Sequence, residues 1–416
     1  MSSPAPEHAD VVICGAGVAG LAAAHALGSL GHRVVVAEKR PTVPRIPKGE
    51  VLQPGALRIL ESWGISEVLE SQGAVRLSSL VAVESRGRMS LDYTQLPEGA
   101  NWLLSADHEQ ILTALAENLP RSVEVRRGVA VQDVVRDDTG RIAGVAVKGA
   151  GEVRAPLVVA ADGLSSRLRR AAGIAADRKD YPHRLVALDV PDVPRVAPEV
   201  IAYTTERGLR MRYPLPGNRL RLYVQIRPDD FRGLDAAGML RWTDSLIAEL
   251  PELEEFSHQL RSCVADRQTL PVSHFTASAI SAPGIALVGE SAHSVHPMAA
   301  QGMNSAIYDA DALSSSLAEH ADVDAALVAY EARRLPEIAQ IGKISHNASR
   351  MLTDLSWAGR AIGRRALRNT GANQRLSFTV MHNLAGLGLH PMSPFDRLCQ
   401  LGLLPDPRSR RRPRWA

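Results

Sequence analysis

Residues 11–20, Val-Val-Ile-Cys-Gly-Ala-Gly-Val-Ala-Gly, decide the fold of this 416-residue chain. Val11–Cys14 is the short apolar run of a buried strand, and an alanine-rich helical stretch to about Leu30 follows the glycines. Gly31-His32 punctuates that stretch, and Val34-Val35-Val36-Ala37 reads as a second buried strand. Strand, glycine turn, helix and strand in that order form a βαβ opening. Within the turn, Gly15 permits the tight reversal, Gly17 lets backbone approach a pyrophosphate, and Gly20 lets the helix pack on the strand. The helix that begins around Val18 and Ala19 aims free N–H groups at phosphate charge. Glu38 lies 18 residues past Gly20, at the end of the second strand. A carboxylate there accepts ribose hydroxyls and disfavours a 2′-phosphate. The turn therefore predicts FAD or NAD and does not choose between them. Lys39 and Arg40, next in the chain, join the candidate cofactor contacts.

Composition sets the frame around this motif. Apolar residues make up 45% and charged residues 22%, enough for a sizeable core in two or three interleaved domains. The net charge is +3, but residues 405–416 alone hold five arginines and one aspartate, so the rest is close to neutral. A neutral body argues against nucleic-acid binding, which needs a basic face. Cys14, Cys263 and Cys399 form no CxxC pair, which leaves no thiolate pair for a zinc site or a redox dithiol; no metal is expected, and a reducing, cytoplasmic compartment is. Met1–Asp10 is polar and carries no signal peptide, and the longest apolar stretch, Val11–Ala24, is too short to span a membrane. The Arg/Pro-rich tail from Pro405 is expected to be mobile. Its prolines interrupt the arginines and it offers no amphipathic helix, so membrane contact is not expected.

Further along, 77–93 reads as an antiparallel hairpin around Arg86-Gly87, and 109–118 as helix. Residues 123–160 are strand-rich. From 181 to 275 strands alternate with proline and glycine turns, interrupted by a helical insertion at 236–250. A strand at 285–288 leads through a loop into a long helix from about Met303, and 323–370 is helical with a kink at Pro336. The expected fold is α/β. A Rossmann-like dinucleotide domain (1–76, 98–180, 276–322) interleaves with an antiparallel-sheet, α+β substrate domain (77–97, 181–275), followed by C-terminal helices (323–404).

Two later stretches choose the cofactor. One is Ala160-Ala161-Asp162-Gly163-Leu164-Ser165-Ser166-Arg167-Leu168-Arg169. The other is Gly284-Ile285-Ala286-Leu287-Val288-Gly289-Glu290-Ser291-Ala292-His293, continuing through Pro297 to Gln301-Gly302-Met303-Asn304. With the glycine turn they resemble the group A flavoprotein monooxygenases, the family of p-hydroxybenzoate hydroxylase and the ubiquinone-pathway hydroxylases. The resemblance runs from about residue 9 to about 335. It implies non-covalent FAD, whose ADP half sits on the glycine turn. Asp162 would lie near the pyrophosphate and the nicotinamide donor, and Glu290, where most members have Asp, would hold the ribityl chain. Lys48 matches a pyrophosphate-binding Arg, and His108 stands where Arg or Gln meets the phosphate-ribityl region. Pro297, Gly302, Met303 and Asn304 fall in the loop and helix start under the flavin, whose dipole would stabilise negative charge on the ring. Ala300 replaces a Gly that many members carry.

The implied activity is a single-component monooxygenase that takes NADH or NADPH and O2 and hydroxylates a small aromatic molecule through a flavin C4a-hydroperoxide. A monomer or homodimer is expected. Tyr203, Tyr213 and Tyr223 on the predicted strands, and His296 beside Pro297, are candidate substrate contacts. No catalytic side chain is named, because the cofactor carries the chemistry. A halogenase of the same fold would carry a WxWxIP stretch, and none of the five tryptophans lies two residues from another. A disulfide reductase would need a cysteine pair. An NAD dehydrogenase leaves the two later stretches idle. A flavin oxidase or a non-catalytic flavin binder is the remaining alternative.

Overall fold

The computed structural model describes residues 7–416 apart from Arg86, Glu98, Ala100, Ala150, Pro194 and Arg195. Its first layer is the predicted opening: β1 (Val11–Cys14), α1 (Val18–Ser29) and β2 (Val34–Glu38). The chain then forms the antiparallel pair β3 (Ser79–Glu84) and β4 (Gly87–Asp92); Arg86 of the expected turn lies outside the described residues. Next come α2 (His108–Glu117), β5 (Val123–Arg127), β6 (Leu157–Ala160) and α3 (Arg167–Ala171). Four longer strands follow: β7 (Lys179–Val190), β8 (Glu199–Thr205), β9 (Gly208–Leu215) and β10 (Arg219–Ile226). Then come α4 (Ala236–Glu249), β11 (Gln268–Thr276), β12 (Ile285–Leu287), α5 (Gln301–Glu319) and α6 (Val323–Thr353). The C-terminal helices are α7 (Trp357–Gly371), α8 (Gln374–Ala385) and α9 (Pro394–Gln400).

Two large sheets organise these elements. In the first, β12, β6, β1, β2 and β5 run parallel in that order, with Ser281–Ala282 antiparallel at the edge. β1, β2 and β6 are apolar runs buried on both faces, as a parallel sheet covered by helices demands. In the second, the order is His293–Ser294, β11, β7, β10, β9, β8, β3 and β4. There the period-2 alternation splits the strands into two faces. Leu185, Ala187, Met211, Tyr213 and Tyr223 share a core with Met298, Ala299 and the α8 residues Phe378, Met381 and Leu384. Val186, Leu188, Leu220, Leu222 and Val224 face the other way, onto Met239, Leu246 and Ile247 of α4. The first face looks toward the cofactor segments; the second does not.

The tail corrects the expectation of mobility. Gln374 N–H donates to the Ser409 carbonyl at 2.8 Å. Arg375 bridges Asp396 and Asp406 at 2.5 and 2.7 Å. Trp415 stacks on His390, ring centroids 3.5 Å apart and 8° from parallel. Charge pairing and one aromatic anchor hold a segment whose composition alone suggested solvent.

Candidate active site

The three motifs converge. Gly15 sits at φ +109°, and a Cβ there would stand 2.3 Å from the Ala161 carbonyl oxygen, so the glycine turn lies against the Asp162 segment. A Cβ on Gly289 would stand 2.6 Å from Cβ of Ala19, so the late loop closes on α1. At Gly17 the situation is the reverse. A Cβ there would meet nothing within 4 Å, and Gly17 is the N-cap of α1 with no side chain satisfying the helix start. Clear space beside free N–H groups is what a pyrophosphate needs.

Glu38 does more than the sequence suggested. Its carboxylate accepts the Ala16 N–H and the Arg40 N–H, both at 2.8 Å. One oxygen thus closes the glycine turn and the other closes the turn after β2. An ionised carboxylate offers about four lone-pair sites, so acceptor capacity remains for ribose. Lys39 and Arg40 are exposed beside it.

Lys48, Gly49, His108, Glu290 and Met303 come from four regions of the chain and meet in one place. Lys48 Nζ pairs with the Glu290 carboxylate, both side chains about half-exposed. A Cβ on Gly49 would lie 3.3 Å from Met303 and 3.6 Å from His108 Nδ1. His108 Nδ1 is buried with no hydrogen-bond partner. Burial pushes the imidazole down to about 4, with Lys48 and Arg40 adding to the effect against the Gly49 backbone and Glu290. Asp162 repeats the pattern: one oxygen caps α3 through the N–H groups of Arg167 and Leu168, at 2.6 and 3.2 Å, and the other is buried without a partner. Two orphaned polar atoms, one in the Gly49–His108 cluster and one beside the glycine turn, fit an extended, polar cofactor.

Behind this wall lies a network that sequence reasoning missed. Asp309 Oδ2 accepts the Gly289 N–H at 2.9 Å and meets His293 Nε2 at 2.8 Å. Its Oδ1 accepts from Arg334 at 2.8 and 2.9 Å, and both side chains are fully buried. Burial opposes charge on Asp309, but His293 and Arg334 outweigh it and hold the carboxyl below its usual range. Arg169, also buried, donates to the Ser291 carbonyl at 2.7 Å. His293 is structural, as its place in the late segment suggests.

Pro297–Ala299 makes a short turn before α5, and Ala300 takes a left-handed φ of +49° as the helix N-cap. A Cβ on Gly302 would have only Val295 within reach, at 4.0 Å, so the helix start is open. Asn304 ties it down, accepting the Gln53 N–H at 2.8 Å and donating to the Val51 carbonyl at 3.1 Å. His296 is not free for a substrate. Its Nδ1 accepts the Met298 N–H at 3.1 Å, and its Nε2 lies 3.0 Å from His183 Nε2. Since Nδ1 is the acceptor, the proton of the neutral ring belongs on Nε2 and is donated to His183. Burial pushes His296 down to about 3 and His183 to about 4, so both stay neutral.

The three tyrosines part company. Tyr203 lies in the core with α4, on the face away from the cofactor segments, and this corrects its assignment to the pocket. Tyr213 and Tyr223 lie on the facing side. The Tyr213 hydroxyl donates to Glu50 at 2.8 Å and the Tyr223 hydroxyl to the Pro47 carbonyl at 2.7 Å. Arg221 binds Glu50 in a fork at 2.7 and 2.9 Å, with both side chains buried. Glu50 and Arg221 thus clamp the sheet to the loop that carries Lys48. An Arg at the middle of an apolar strand was the available signal for this pair.

A cavity of about 990 Å³ opens between β7, β10, α4 and α6, lined by Tyr181, His183, Trp242, His274, His346 and Arg350 among others. None of the cofactor-segment residues borders it, but Tyr181 and His183 of its lining both meet His296, with ring centroids 4.8 and 5.3 Å away. Cys14 is buried and unpaired, and burial pushes its thiol up to about 12, which disfavours the reactive thiolate. Among the described residues no cluster of His, Cys, Asp and Glu could hold a metal, and no helix is long and apolar enough to cross a membrane.

The model of the FAD-binding domain family matches residues 8–345. The chain belongs to that family. It is 32% identical to 6-methylpretetramide 4-monooxygenase of Streptomyces rimosus over 83% of this chain and 84% of that one. It is 26% identical to squalene monooxygenase of Mus musculus over 72% of this chain, but only 53% of that longer one. PqsL of Pseudomonas aeruginosa, solved in complex with 2-aminobenzoylacetate, superposes with a TM-score of 0.74 at 26% identity, covering 84% of this chain and 98% of that one. The protein is an FAD-dependent monooxygenase, and FAD rather than NAD is the resident dinucleotide.

Proposed function

We propose that this monooxygenase hydroxylates a small aromatic molecule on carbon or nitrogen, with NADH or NADPH as electron donor and O2 as oxygen source. One observation carries the reading. The Met211, Tyr213 and Tyr223 face of the antiparallel sheet packs over Met298 and Ala299, at the open start of α5. An apolar, aromatic wall against the flavin end of the cofactor site suits a planar ring and keeps water out. The ligands named for two relatives, a pretetramide and an aminobenzoylacetate, support an aromatic substrate; the squalene relative supports testing an alkene beside it.

In this reading the N–H groups from Gly15 to Gly20, including those of Val18 and Ala19, cradle the pyrophosphate. Glu38 takes the ribose, flanked by Lys39 and Arg40. Lys48, His108, Asp162 and Glu290 hold the phosphate-ribityl stretch, and Pro297, Gly302, Met303 and Asn304 support the ring. FAD bound there would supply electron transfer from nicotinamide and activation of O2. The protein positions the substrate, excludes water and places the α5 N-terminus where negative charge develops. The domain division of the sequence reading is supported by the two sheets. A cytoplasmic location is supported by three unpaired, buried cysteines.

The test is oxidation of NADH and NADPH by the purified protein, followed with isotopically labelled O2 across phenols, anilines, quinolones, polycyclic polyketides and an alkene. A yellow protein and a labelled, hydroxylated product are expected. A colourless protein that FAD does not reconstitute, or peroxide with no oxygenated product from any compound, would overturn the proposal.

A further inference from the structure

Charge is strongly segregated along this chain. Residues 356–416 contain eleven arginines, no lysine and no glutamate, and two aspartates, so they carry +9 against +3 for the whole protein; residues 1–355 are left with −6. The same segment carries most of the large apolar side chains left in water. Trp357 is 80% exposed, Leu403 59% and Ile362 52%, with Leu398, Leu404 and Trp415 also exposed. We propose that this C-terminal helical layer is a docking surface for an anionic lipid bilayer.

Gly363, Ala366, Leu367 and Thr370 form the buried stripe of α7. Trp357, Arg364, Arg365 and Arg368 stand at i, i+7, i+8 and i+11, all exposed, which puts them on one helical face opposite that stripe. Arginines beside a protruding tryptophan are the equipment of an interfacial helix. The indole settles at headgroup level, and the guanidinium groups meet lipid phosphate on long stems. The tail lacks an amphipathic helix of its own, but it does not act alone. It is pinned along α8 by the Ser409 and Asp406 contacts and the Trp415 stack, and it brings five more arginines to the same layer. Leu403 and Leu404 continue the apolar ridge beside α7, where Asn369 donates to the Gln400 carbonyl at 3.1 Å.

A nucleic acid would be met by arginines without exposed Trp, Ile and Leu between them, so the mixture favours lipid. The location has a functional meaning. Leu367 of α7 and Phe378, Met381 and Leu384 of α8 pack on the inner face of the antiparallel sheet. A bilayer against this layer would lie one helix thickness from the proposed substrate wall, which suits a lipophilic substrate.

The experiment is co-sedimentation of the FAD-loaded protein with phosphatidylcholine vesicles, with and without phosphatidylglycerol, at low and high salt. Binding is expected to require phosphatidylglycerol and to fall as salt rises. The double reversal R364E/R365E should weaken it about tenfold or more. W357A should weaken it on vesicles without changing circular dichroism, and all variants should keep the parent rate of NAD(P)H oxidation. No vesicle binding, equal binding to neutral and anionic vesicles, or binding unchanged in both variants would overturn the proposal. So would retention on duplex DNA without retention on vesicles. None of these outcomes touches the oxygenase assignment, which is read from product formation.

Discussion

Gly289 and Glu290 are neighbours in the chain, yet they serve two opposite kinds of ion pair. The Gly289 N–H donates to Asp309, whose partner Arg334 is 2% exposed. The Glu290 side chain reaches the other way, to Lys48, and that pair stands half in water. A buried pair loses most of its charge compensation when one member goes, since Arg334 would keep only the half-exposed Glu337, so it behaves as scaffold. A half-exposed pair contributes little to stability and exchanges partners at small penalty. The inner pair holds the Gly289 backbone in place; the outer pair stands at the surface, where the proposed cofactor would meet it.

The sharpest way to break this distinction is to remove Asp309. Asp309→Ala should destabilise the protein by about 3 kcal/mol, measured by urea unfolding, because Arg334 stays charged and buried with only the half-exposed Glu337 left to face it. The Asp309 contribution is present above the ordinary carboxylate range and disappears as pH falls through its lowered value. A variant as stable as the parent would show that the buried pair is no scaffold.

Gly17→Val comes next and should separate binding from folding. A Cβ there meets no protein atom within 4 Å, so the unfolding midpoint should hold while FAD retention is lost. Retained flavin would move the cofactor off the glycine turn.

The His183–His296 pair makes the comparison pH-dependent. Both rings are held neutral by burial, while in the unfolded chain each binds a proton below about 6.5. Stability should therefore fall as pH drops from about 6.5 toward 4, by about 1.4 kcal/mol per pH unit for each ring. His183→Gln should flatten that slope; an unchanged slope would place the titration elsewhere.

The smallest change in stability belongs to the outer pair. Lys48→Met should shift unfolding by only about 0–1 kcal/mol, yet raise the FAD dissociation constant measurably. Equal loss of stability from Lys48→Met and Asp309→Ala would erase the contrast between the two pairs.

These features were unequally legible. The glycine turn and Glu38 could be read because their chemistry is local: strand, turn, helix and acid lie within 28 residues. The convergence of Lys48, His108 and Glu290 came from the family resemblance, since nothing in the chain itself links positions 48, 108 and 290. Asp309 and Arg334 escaped because a charge inside an alanine-rich helix does not announce whether it faces water or a partner 25 residues away. Tyr203 was misplaced because a strand pattern gives alternation but not which face is which; register with β3 and β9 decides that. The tail was misread because its anchor, the Trp415 stack, depends on where His390 is placed by the end of α8.

The double engagement of Glu38 has a consequence for evolution and redesign. The usual route to a phosphorylated ribose removes the acid after the second strand and installs a cation. Here that acid is also the clasp of the glycine loop, holding the Ala16 and Arg40 amides. Any replacement that welcomes the extra phosphate unfastens the loop proposed to grip the pyrophosphate. Nucleotide preference in this chain is thereby bound to backbone shape, and a switch would need a second substitution to refasten the turn before the first could be tolerated.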